Sequence, residues 1–349
     1  MCLLIAYGPE HMKPTRKKHF LRPSSWLLGG ALLAAGSAGA TDAVAPVRQV
    51  VIDSAFSQLV APQARVELLT DQAKWAEGPL CLADGRLIWS DIKANKVSSW
   101  QAKDGVSTWL EKADFQNGHT LDGQGRVVAA SHGKRGIVRQ ELNGEWHTLV
   151  DTYQGKLLNS PNDVVADKSG ALWFSDPTFG VLSKSEGYGG KPEQGGEFIY
   201  RYVPDTGEIT RLDTPEVHSP NGLAFSPDQQ LLYVADSQMA HDFTNKKLAH
   251  RIMVYQVRDG RLINGKVFAD IEPGIPDGIK VDALGNLWSS SKEGIQVFSA
   301  AGKPLGKLLV SAADTSNLTF CSSEQASWAY ITAANKVLRV QVTKSVAGQ

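Results

Sequence analysis

A short polar phrase that recurs along the chain constrains its fold more than any other feature. The copies read Pro161-Asn162-Asp163-Val164-Val165, Pro220-Asn221-Gly222-Leu223-Ala224 and Pro276-Asp277-Gly278-Ile279-Lys280. Proline fixes φ, and the Asn, Asp or Gly after it suits a tight turn that leads into a strand. Each copy is followed by an apolar-aromatic stretch, of which Leu172-Trp173-Phe174 is typical. The recurrence therefore predicts a chain of repeated hairpins with one polar residue at each equivalent position.

Six units of this repeat are visible, about 40 to 60 residues apart. Their equivalent positions are Glu77, Asn117, Asn162, Asn221, Asp277 and Asn317. The fifth unit shows about four strands, at Gly278–Val281, Asn286–Ser289, Gly294–Phe298 and Lys307–Val310. Helical periodicity is nearly absent. This pattern predicts an all-β fold, a six-bladed β-propeller with a central metal-binding channel, and a β-sandwich or β-solenoid is the structural alternative.

The N-terminal segment has the pattern of a secretory signal peptide. A basic stretch is followed by the apolar run Trp26 to Ala35 and by small residues that end in Ala38-Gly39-Ala40. We expect residues 1–40 to be removed, which predicts a secreted or periplasmic protein with no stable membrane insertion after cleavage. The alternative is an uncleaved membrane anchor. Met12 is a second candidate start, in which case residues 1–11 are a mis-annotated extension.

The remaining chain divides into a leader, residues 41–65, with an early strand at Val47 to Ile52, and a propeller, residues 66–345. The formal net charge is +0, so no basic field indicates nucleic acid as a partner. Cys81 and Cys321 lie near opposite ends of the propeller sequence. We expect two separately buried thiols, with a disulfide as the alternative.

The repeat also predicts a metal site. The loops that enter the innermost strands of a propeller crowd one mouth of its channel, so Glu77, Asn162, Asn221 and Asp277 are expected to converge there. Two carboxylates and two amide carbonyls form a set of hard oxygen ligands that suits one divalent cation, Ca²⁺ first, with Mg²⁺, Mn²⁺ or Zn²⁺ as alternatives. The competing interpretation is that these residues only form turns and bind nothing.

Such a site has a definite chemistry. A cation in a channel mouth polarises a carbonyl and lowers the pKa of bound water, and Asp277 is placed to act as both ligand and general base. No sequence motif of a nucleophilic serine, a zinc protease or a phosphate-binding loop is present. Asn117 and Asp163 are candidates for hydrogen bonds to substrate, and His119 and His132 for substrate contacts or acid catalysis.

Two further groups of residues have expected structural roles. Asp91, Asp176 and Asp236 follow aromatic strands, where an aspartate typically stabilises a turn. The long stretches 184–196 and 238–249 are rich in Gly, Lys and His, and we expect them to form part of a rim over the site.

At this point the residues resemble a known family. The run Asn159 to Val165 with Leu172 to Pro177, the run Ser219 to Asp228, and the run Pro276 to Asp282 are similar to the gluconolactonase branch of the senescence marker protein (regucalcin) superfamily. Glu77-Gly78-Pro79 and Asn117 to Asp122 resemble its first two blade motifs. The resemblance covers roughly residues 66 to 340. Two departures, at Leu80-Cys81 and Cys321-Ser322, affect blade packing and substrate fit rather than the proposed ligands.

The resemblance implies a six-bladed propeller with one catalytic divalent cation, commonly Ca²⁺. It implies Glu77, Asn162, Asn221 and Asp277 as metal ligands, with Asp277 also the acid/base residue. Asn117 and His132 fall at or near substrate contacts of the family. The expected activity is metal-dependent hydrolysis of a small-molecule lactone, such as a sugar lactone. The alternatives are another ester or organophosphate hydrolase on the same site, and a non-enzymatic ligand-binding propeller with a structural metal.

Overall fold

The computed structural model describes residues 47–311 and 314–347. The predicted signal peptide, residues 1–40, lies outside the described residues. Among the residues that are described, no helix is long and apolar enough to cross a membrane.

The architecture is a ring of six antiparallel sheets, the blades; in blades 1 to 4 the strands run in chain order from the inside outward, whereas the outermost strands of blades 5 and 6 come from the N-terminal part of the chain. Two strands, β1 (Val47–Val51) and β2 (Val66–Thr70), precede the first complete blade. Blade 1 consists of β3 (Ala76–Cys81), β4 (Leu87–Asp91), β5 (Lys96–Gln101) and β6 (Gly105–Glu111). Blade 2 consists of β7 (Gln116–Leu121), β8 (Val127–Ser131), β9 (Gly136–Gln140) and β10 (Trp146–Val150).

A small hairpin, β11 (Thr152–Tyr153) and β12 (Lys156–Leu157), leads to the next blade. Blade 3 consists of β13 (Val164–Ala166), β14 (Leu172–Asp176), β15 (Phe198–Val203) and β16 (Glu208–Arg211). Blade 4 consists of β17 (Pro220–Phe225), β18 (Leu231–Asp236), β19 (Arg251–Arg258) and β20 (Arg261–Asp270). Blade 5 contains β21 (Ile279–Val281), β22 (Leu287–Ser291), β23 (Gly294–Phe298) and β24 (Pro304–Val310). Blade 6 contains β25 (Thr315–Ser322), β26 (Ser327–Ala333) and β27 (Lys336–Val342).

In the part of the chain that the structure describes, helices are few and short. The α-helices are α1 (Phe179–Leu182) and α2 (Lys344–Ala347), and the 3₁₀ turns are Ser54–Gln58, Ile92–Ala94 and Gln238–His241. The all-β prediction of a six-bladed propeller is therefore confirmed.

The aromatic strands of the repeat form the packing layer between blades. Strands β4, β14 and β22 are buried along their whole length, because each blade is covered on both faces by its neighbours. Trp173 of blade 3 packs edge-on against Phe225 of blade 4, with ring centroids 5.5 Å apart. Trp288 of blade 5 meets Phe320 of blade 6 in the same way, at 5.2 Å. Truncating such a buried aromatic side chain typically costs about 3–5 kcal/mol.

The N-terminal strands close the ring. Strand β2 is the outermost strand of blade 6, with Val66 opposite Val340. Strand β1 adds a fifth strand to blade 5, with Val47 opposite Val310. The early strand expected in the leader is therefore present, and it extends the propeller toward the N-terminus beyond the predicted boundary at residue 66.

A half-buried arginine strengthens the closure of blade 6. Arg339 on β27 donates to the carboxylate of Glu67 on β2, with nitrogen-to-oxygen distances of 2.6 and 3.0 Å. Its guanidinium lies 4.0 Å from the ring centroid of Trp328 and also donates to Tyr330. The cation is thus paired and stacked at once, which is an arrangement that suits arginine and not lysine.

A disulfide joins the first blade to the last. Cys81 on β3 and Cys321 on β25 are bonded, with their Cα atoms 6.0 Å apart. The expectation of two separate thiols is wrong, because ring closure places the innermost strands of blades 1 and 6 side by side. A spacing of 6.0 Å lies within the range that disulfides adopt.

Candidate active site

The polar residues of the repeat lie where the innermost strand of each blade begins. In blades 1, 2 and 4 the strand register shifts at this point, between Glu77 and Leu80, between Gln116 and His119, and between Pro220 and Leu223. In blades 3 and 5, Asn162 and Asp277 precede the first residue of the strand. Such irregularities change the direction in which side chains point, so the repeat residues do not follow the alternation of a regular strand.

A closed circle of hydrogen bonds links the six blades at this level, one neighbour to the next. The bonds run from Ser90 Oγ to the Asn117 carbonyl, Gly118 N to the Asn162 carbonyl, Leu223 N to the Asp163 carboxylate, Gly222 N to the Asp277 carbonyl, Gly278 N to the Ser316 carbonyl, and Ser316 Oγ to the Ala76 carbonyl. The approach is so close that a Cβ on Gly222 would lie 2.3 Å from the Asp277 carbonyl oxygen. The glycines that follow the repeat residue in blades 1, 2, 4 and 5 all lie this close to a neighbouring blade, which leaves no room for a side chain.

A cavity of about 780 Å³ opens at this mouth of the channel. Six of the predicted site residues line it: Glu77, Asn117, His132, Asn162, Asn221 and Asp277. The structure therefore places all four predicted metal ligands, and two of the predicted substrate contacts, on one cavity.

The two carboxylates of this set both have raised pKa values, and burial is the largest cause for each. Burial, and then the charge of Asp277, hold the pKa of Glu77 well above its usual value. Burial raises the pKa of Asp277 to about 7, although a hydrogen bond with Asn221 opposes the shift. Across residues 47–311 and 314–347, neither carboxylate forms a salt bridge with Lys, Arg or His. Two adjacent acidic groups without a cationic partner favour the binding of a cation.

The cavity wall carries a ligand atom that no other group of the described residues uses. Asn221 Oδ1 is buried and, among residues 47–311 and 314–347, has no hydrogen-bond partner, although the residue lines the cavity. A buried carbonyl oxygen without a hydrogen-bond partner destabilises the fold unless a ligand or a cation binds to it. Within the described part of the chain, no cluster of three or more His, Cys, Asp or Glu is arranged to hold a metal. The set of Glu77, Asp277, Asn162 and Asn221 contains only oxygen donors, so it fits Ca²⁺ better than a transition metal.

Asn117 and His132 form a polar pair on the cavity wall. His132 Nδ1 lies 2.8 Å from the carbonyl oxygen of Glu186, and Asn117 Nδ2 lies 3.4 Å from His132 Nε2. Burial lowers the pKa of His132 to about 4, so the ring is neutral. With Nδ1 donating to the carbonyl, Nε2 accepts from Asn117, and the amide carbonyl of Asn117 remains available to a ligand.

Asp163 and His119 do not line this cavity, so the structure does not bring them together with the other candidate site residues, and substrate contact stays a prediction for both. The carboxylate of Asp163 accepts from its neighbour Val164 N at 2.9 Å and from Leu223 N of the next blade at 3.0 Å. His119 Nδ1 lies 2.7 Å from the Gly78 carbonyl oxygen, and its ring lines a separate cavity of about 310 Å³. Both side chains are occupied in joining adjacent blades.

The two long loops contribute the rim, as expected. Phe179 and Phe243 line the cavity from the segments before and within these loops. His241 of the second loop contacts residues that flank the first loop: its Nε2 lies 3.0 Å from Glu197 Oε1, and its ring packs against Phe179. The sequence did not indicate a role for Phe179 or Phe243, because each is a single aromatic residue in an irregular loop and has no equivalent at the same position of the other repeats.

Comparison with known proteins decides the family. The family described as the SMP-30/Gluconolactonase/LRE-like region matches residues 75–335. The chain belongs to this family. The matched segment begins two residues before Glu77 and includes every residue of the candidate site, so the predicted resemblance is confirmed.

Individual relatives agree with this assignment. A gluconolactonase from Zymomonas mobilis is 31% identical over 303 residues, which cover 79% of this chain and 81% of the relative. A pentonolactonase from Haloferax volcanii is 26% identical over 252 residues, covering 70% of this chain and 76% of the relative. The solved structure of a gluconolactonase from Xanthomonas campestris superposes with a TM-score of 0.78 at 36% identity, covering 86% of this chain and 96% of the other.

Proposed function

We propose that this protein is a metal-dependent lactonase that opens sugar lactones, and that Glu77, Asn162, Asn221 and Asp277 hold one Ca²⁺. The observation that carries the proposal is the convergence of these four oxygen-bearing side chains on one cavity, where Asn221 Oδ1 has no other partner. The relatives named gluconolactonase and pentonolactonase support the choice of substrate class.

When bound there, a divalent cation supplies Lewis-acid polarisation of the lactone carbonyl and lowers the pKa of water. Side chains of the protein carry out the proton transfers and bind the substrate. Asp277 takes a proton from the attacking water and later returns it to the ring oxygen that leaves. The amide carbonyl of Asn117, oriented by neutral His132, accepts a hydrogen bond from a hydroxyl of the substrate. The cavity of about 780 Å³ leaves ample room for a sugar lactone.

The experiment is a lactonase assay on glucono- and other aldonolactones, with the purified protein before and after treatment with EDTA. We expect chelation to abolish hydrolysis and added Ca²⁺ to restore it. Asp277→Asn removes the base, and we expect kcat to fall by about 10² to 10⁴-fold. Hydrolysis that is indifferent to EDTA, or full activity in Asp277→Asn, would refute the proposal.

A matched control is Asn317→Ala. Asn317 occupies the same phase of the repeat in blade 6, but it does not line the cavity; its Nδ2 lies 3.4 Å from Glu77 Oε2. We expect this variant to change kcat much less than Asp277→Asn does. A panel of aryl esters and organophosphates, run with the same metal-loaded protein, separates the lactonase from a hydrolase of wider scope.

We also propose that the protein acts outside the cytoplasm, in the periplasm or the medium. The signal-like N-terminus motivates this, and the bond between Cys81 and Cys321 is compatible with an oxidising compartment. Fractionation of cells that express the full-length chain tests it: a cytoplasmic product that retains residues 1–40 would contradict the proposal.

A further inference from the structure

Three buried aspartates share one geometry behind the candidate site. Asp91, Asp176 and Asp236 end the second strands of blades 1, 3 and 4. None lines the cavity of about 780 Å³. Each carboxylate instead accepts hydrogen bonds from two consecutive backbone amides of the loop that leads into the innermost strand of its own blade.

The amides that these carboxylates hold lie at a constant distance along the chain from the proposed ligands. Asp91 accepts from Lys74 N and Trp75 N, each at 2.9 Å, and Glu77 follows two residues later. The same interval separates the second anchored amide from the ligand in the other two blades. These amides are Ser160 N, at 2.9 Å from Asp176 and ahead of Asn162, and Ser219 N, at 3.0 Å from Asp236 and ahead of Asn221.

The remaining blades have no aspartate at the equivalent position. The equivalent second-strand residue is Ser131 in blade 2, Ser291 in blade 5 and Ala333 in blade 6. Blades 2 and 6 supply no proposed ligand. Blade 5 supplies Asp277, whose backbone N is held instead by Ser290 Oγ at 2.9 Å. The carboxylate therefore occurs in the three blades whose ligands are Glu77, Asn162 and Asn221, and not in the others.

We propose that Asp91, Asp176 and Asp236 are positioning residues that hold the ligand-bearing loops at the spacing a cation requires. This inference rests on the proposed metal site. Two residues of chain span at most about 7 Å, so fixing an amide two positions away leaves the ligand little freedom. Hydrogen bonds to a carboxylate are stronger than those to a neutral acceptor, and preorganisation of this kind raises affinity by lowering the cost of ordering the site.

The experiment is calorimetric titration of Ca²⁺ into metal-free full-length protein, with thermal melting of the same samples. We expect Asp91→Ser, Asp176→Ser and Asp236→Ser each to weaken Ca²⁺ binding by about 10- to 100-fold, as loss of outer-shell partners does elsewhere. Serine is the substitution of choice because the fold already accommodates it at Ser131 and Ser291.

Asparagine variants separate positioning from mere stability. In Asp91 both amides share Oδ1, so one carbonyl oxygen in Asp91→Asn still accepts both bonds. In Asp176 the two amides use different oxygens, so Asp176→Asn loses one of them. We expect Asp91→Asn to bind Ca²⁺ as the wild type does and Asp176→Asn to bind more weakly. This comparison carries the test if a serine variant fails to fold.

The matched control is Ser131→Ala, at the equivalent position of a blade without a proposed ligand. It removes a hydrogen bond of 2.6 Å to the Asp114 carbonyl, so it is expected to lower the melting temperature without changing the dissociation constant for Ca²⁺. Folded serine variants with wild-type affinity, or equal weakening in Asp91→Asn and Asp176→Asn, would overturn the inference while leaving the metal site in place. A wild-type protein that binds no Ca²⁺ would overturn the proposed site itself, and this inference with it.

Discussion

Breaking the disulfide between Cys81 and Cys321 should destabilise the propeller without changing its blades. The bond spans 240 residues of sequence. For a loop of this length, the loss of chain entropy in the unfolded state corresponds to about 5.5 kcal/mol at 25 °C. Measured effects generally fall below this limit, so we expect the free energy of unfolding to drop by about 2–5 kcal/mol.

The assay is thermal and denaturant unfolding of three samples: the oxidised wild type, the wild type treated with a reductant, and the Cys81→Ala/Cys321→Ala variant. A folded unit of this size has an unfolding entropy near 0.6 kcal/mol/K, so the expected fall in melting temperature is about 3–8 °C. The reduced wild type and the double variant should agree, because both lose the same cross-link.

Two results would refute this reasoning. If reduction leaves the unfolding midpoint unchanged, the hydrogen-bonded closure by strand β2 alone determines stability. If the double variant is much less stable than the reduced wild type, lost packing around the half-buried sulfur atoms outweighs the cross-link. A single Cys81→Ala variant, which keeps Cys321 as a free thiol, distinguishes the two contributions.

Three further predictions concern single side chains. Asp163→Ala leaves two buried amides without an acceptor, so the unfolding free energy should fall by about 2–4 kcal/mol. Because Asp163 does not line the cavity, the KM of the folded enzyme should stay unchanged. A raised KM would instead support the predicted contact of Asp163 with substrate. Arg339→Lys loses the paired contact with Glu67 and the stacking on Trp328, and should cost about 1–2 kcal/mol in urea unfolding, whereas an unchanged midpoint would contradict the role given to this side chain. Burial lowers the pKa of His119 from 6.5 to about 4, so the unfolded chain binds more protons between these values, and up to about 3 kcal/mol of stability present above pH 6.5 should be lost as the pH falls toward 4. In His119→Gln the melting temperature should fall less steeply over that pH range, and a slope equal to the wild type would contradict this.

The fold and the main site residues were predictable because both follow the phase of the repeat. Turn chemistry and apolar strands are local properties, so Glu77, Asn162, Asn221 and Asp277 could be aligned before any contact was known. The roles of Asp163 and His119 were not predictable in this way. Their side chains form hydrogen bonds with backbone atoms of neighbouring blades, and such contacts between distant residues cannot be recognised in the pattern of residues within one repeat.

The disulfide was missed although a signal for it exists. Cys81 follows Glu77 by four positions, and Cys321 follows Asn317 by four, so both cysteines occupy the same phase of the repeat. In a closed ring the first and last units are neighbours, and equivalent positions on adjacent innermost strands face each other. Two cysteines in a large domain are not a disulfide framework, and this argued against the pair, although a closed ring brings the two ends of the chain together; the shared phase within the repeat would have predicted the bond.

The way the ring closes also bears on how the protein forms. Strands β1 and β2 are the first described strands to be synthesised, yet they pair with β24 and β27, which are among the last. Until those partners exist, both early strands expose unpaired backbone edges, which favours association with other chains. Contacts of such long sequence separation also slow folding. Strands β1 and β2 therefore find their partners late, and a product that stops before β27 has no strand to receive β2.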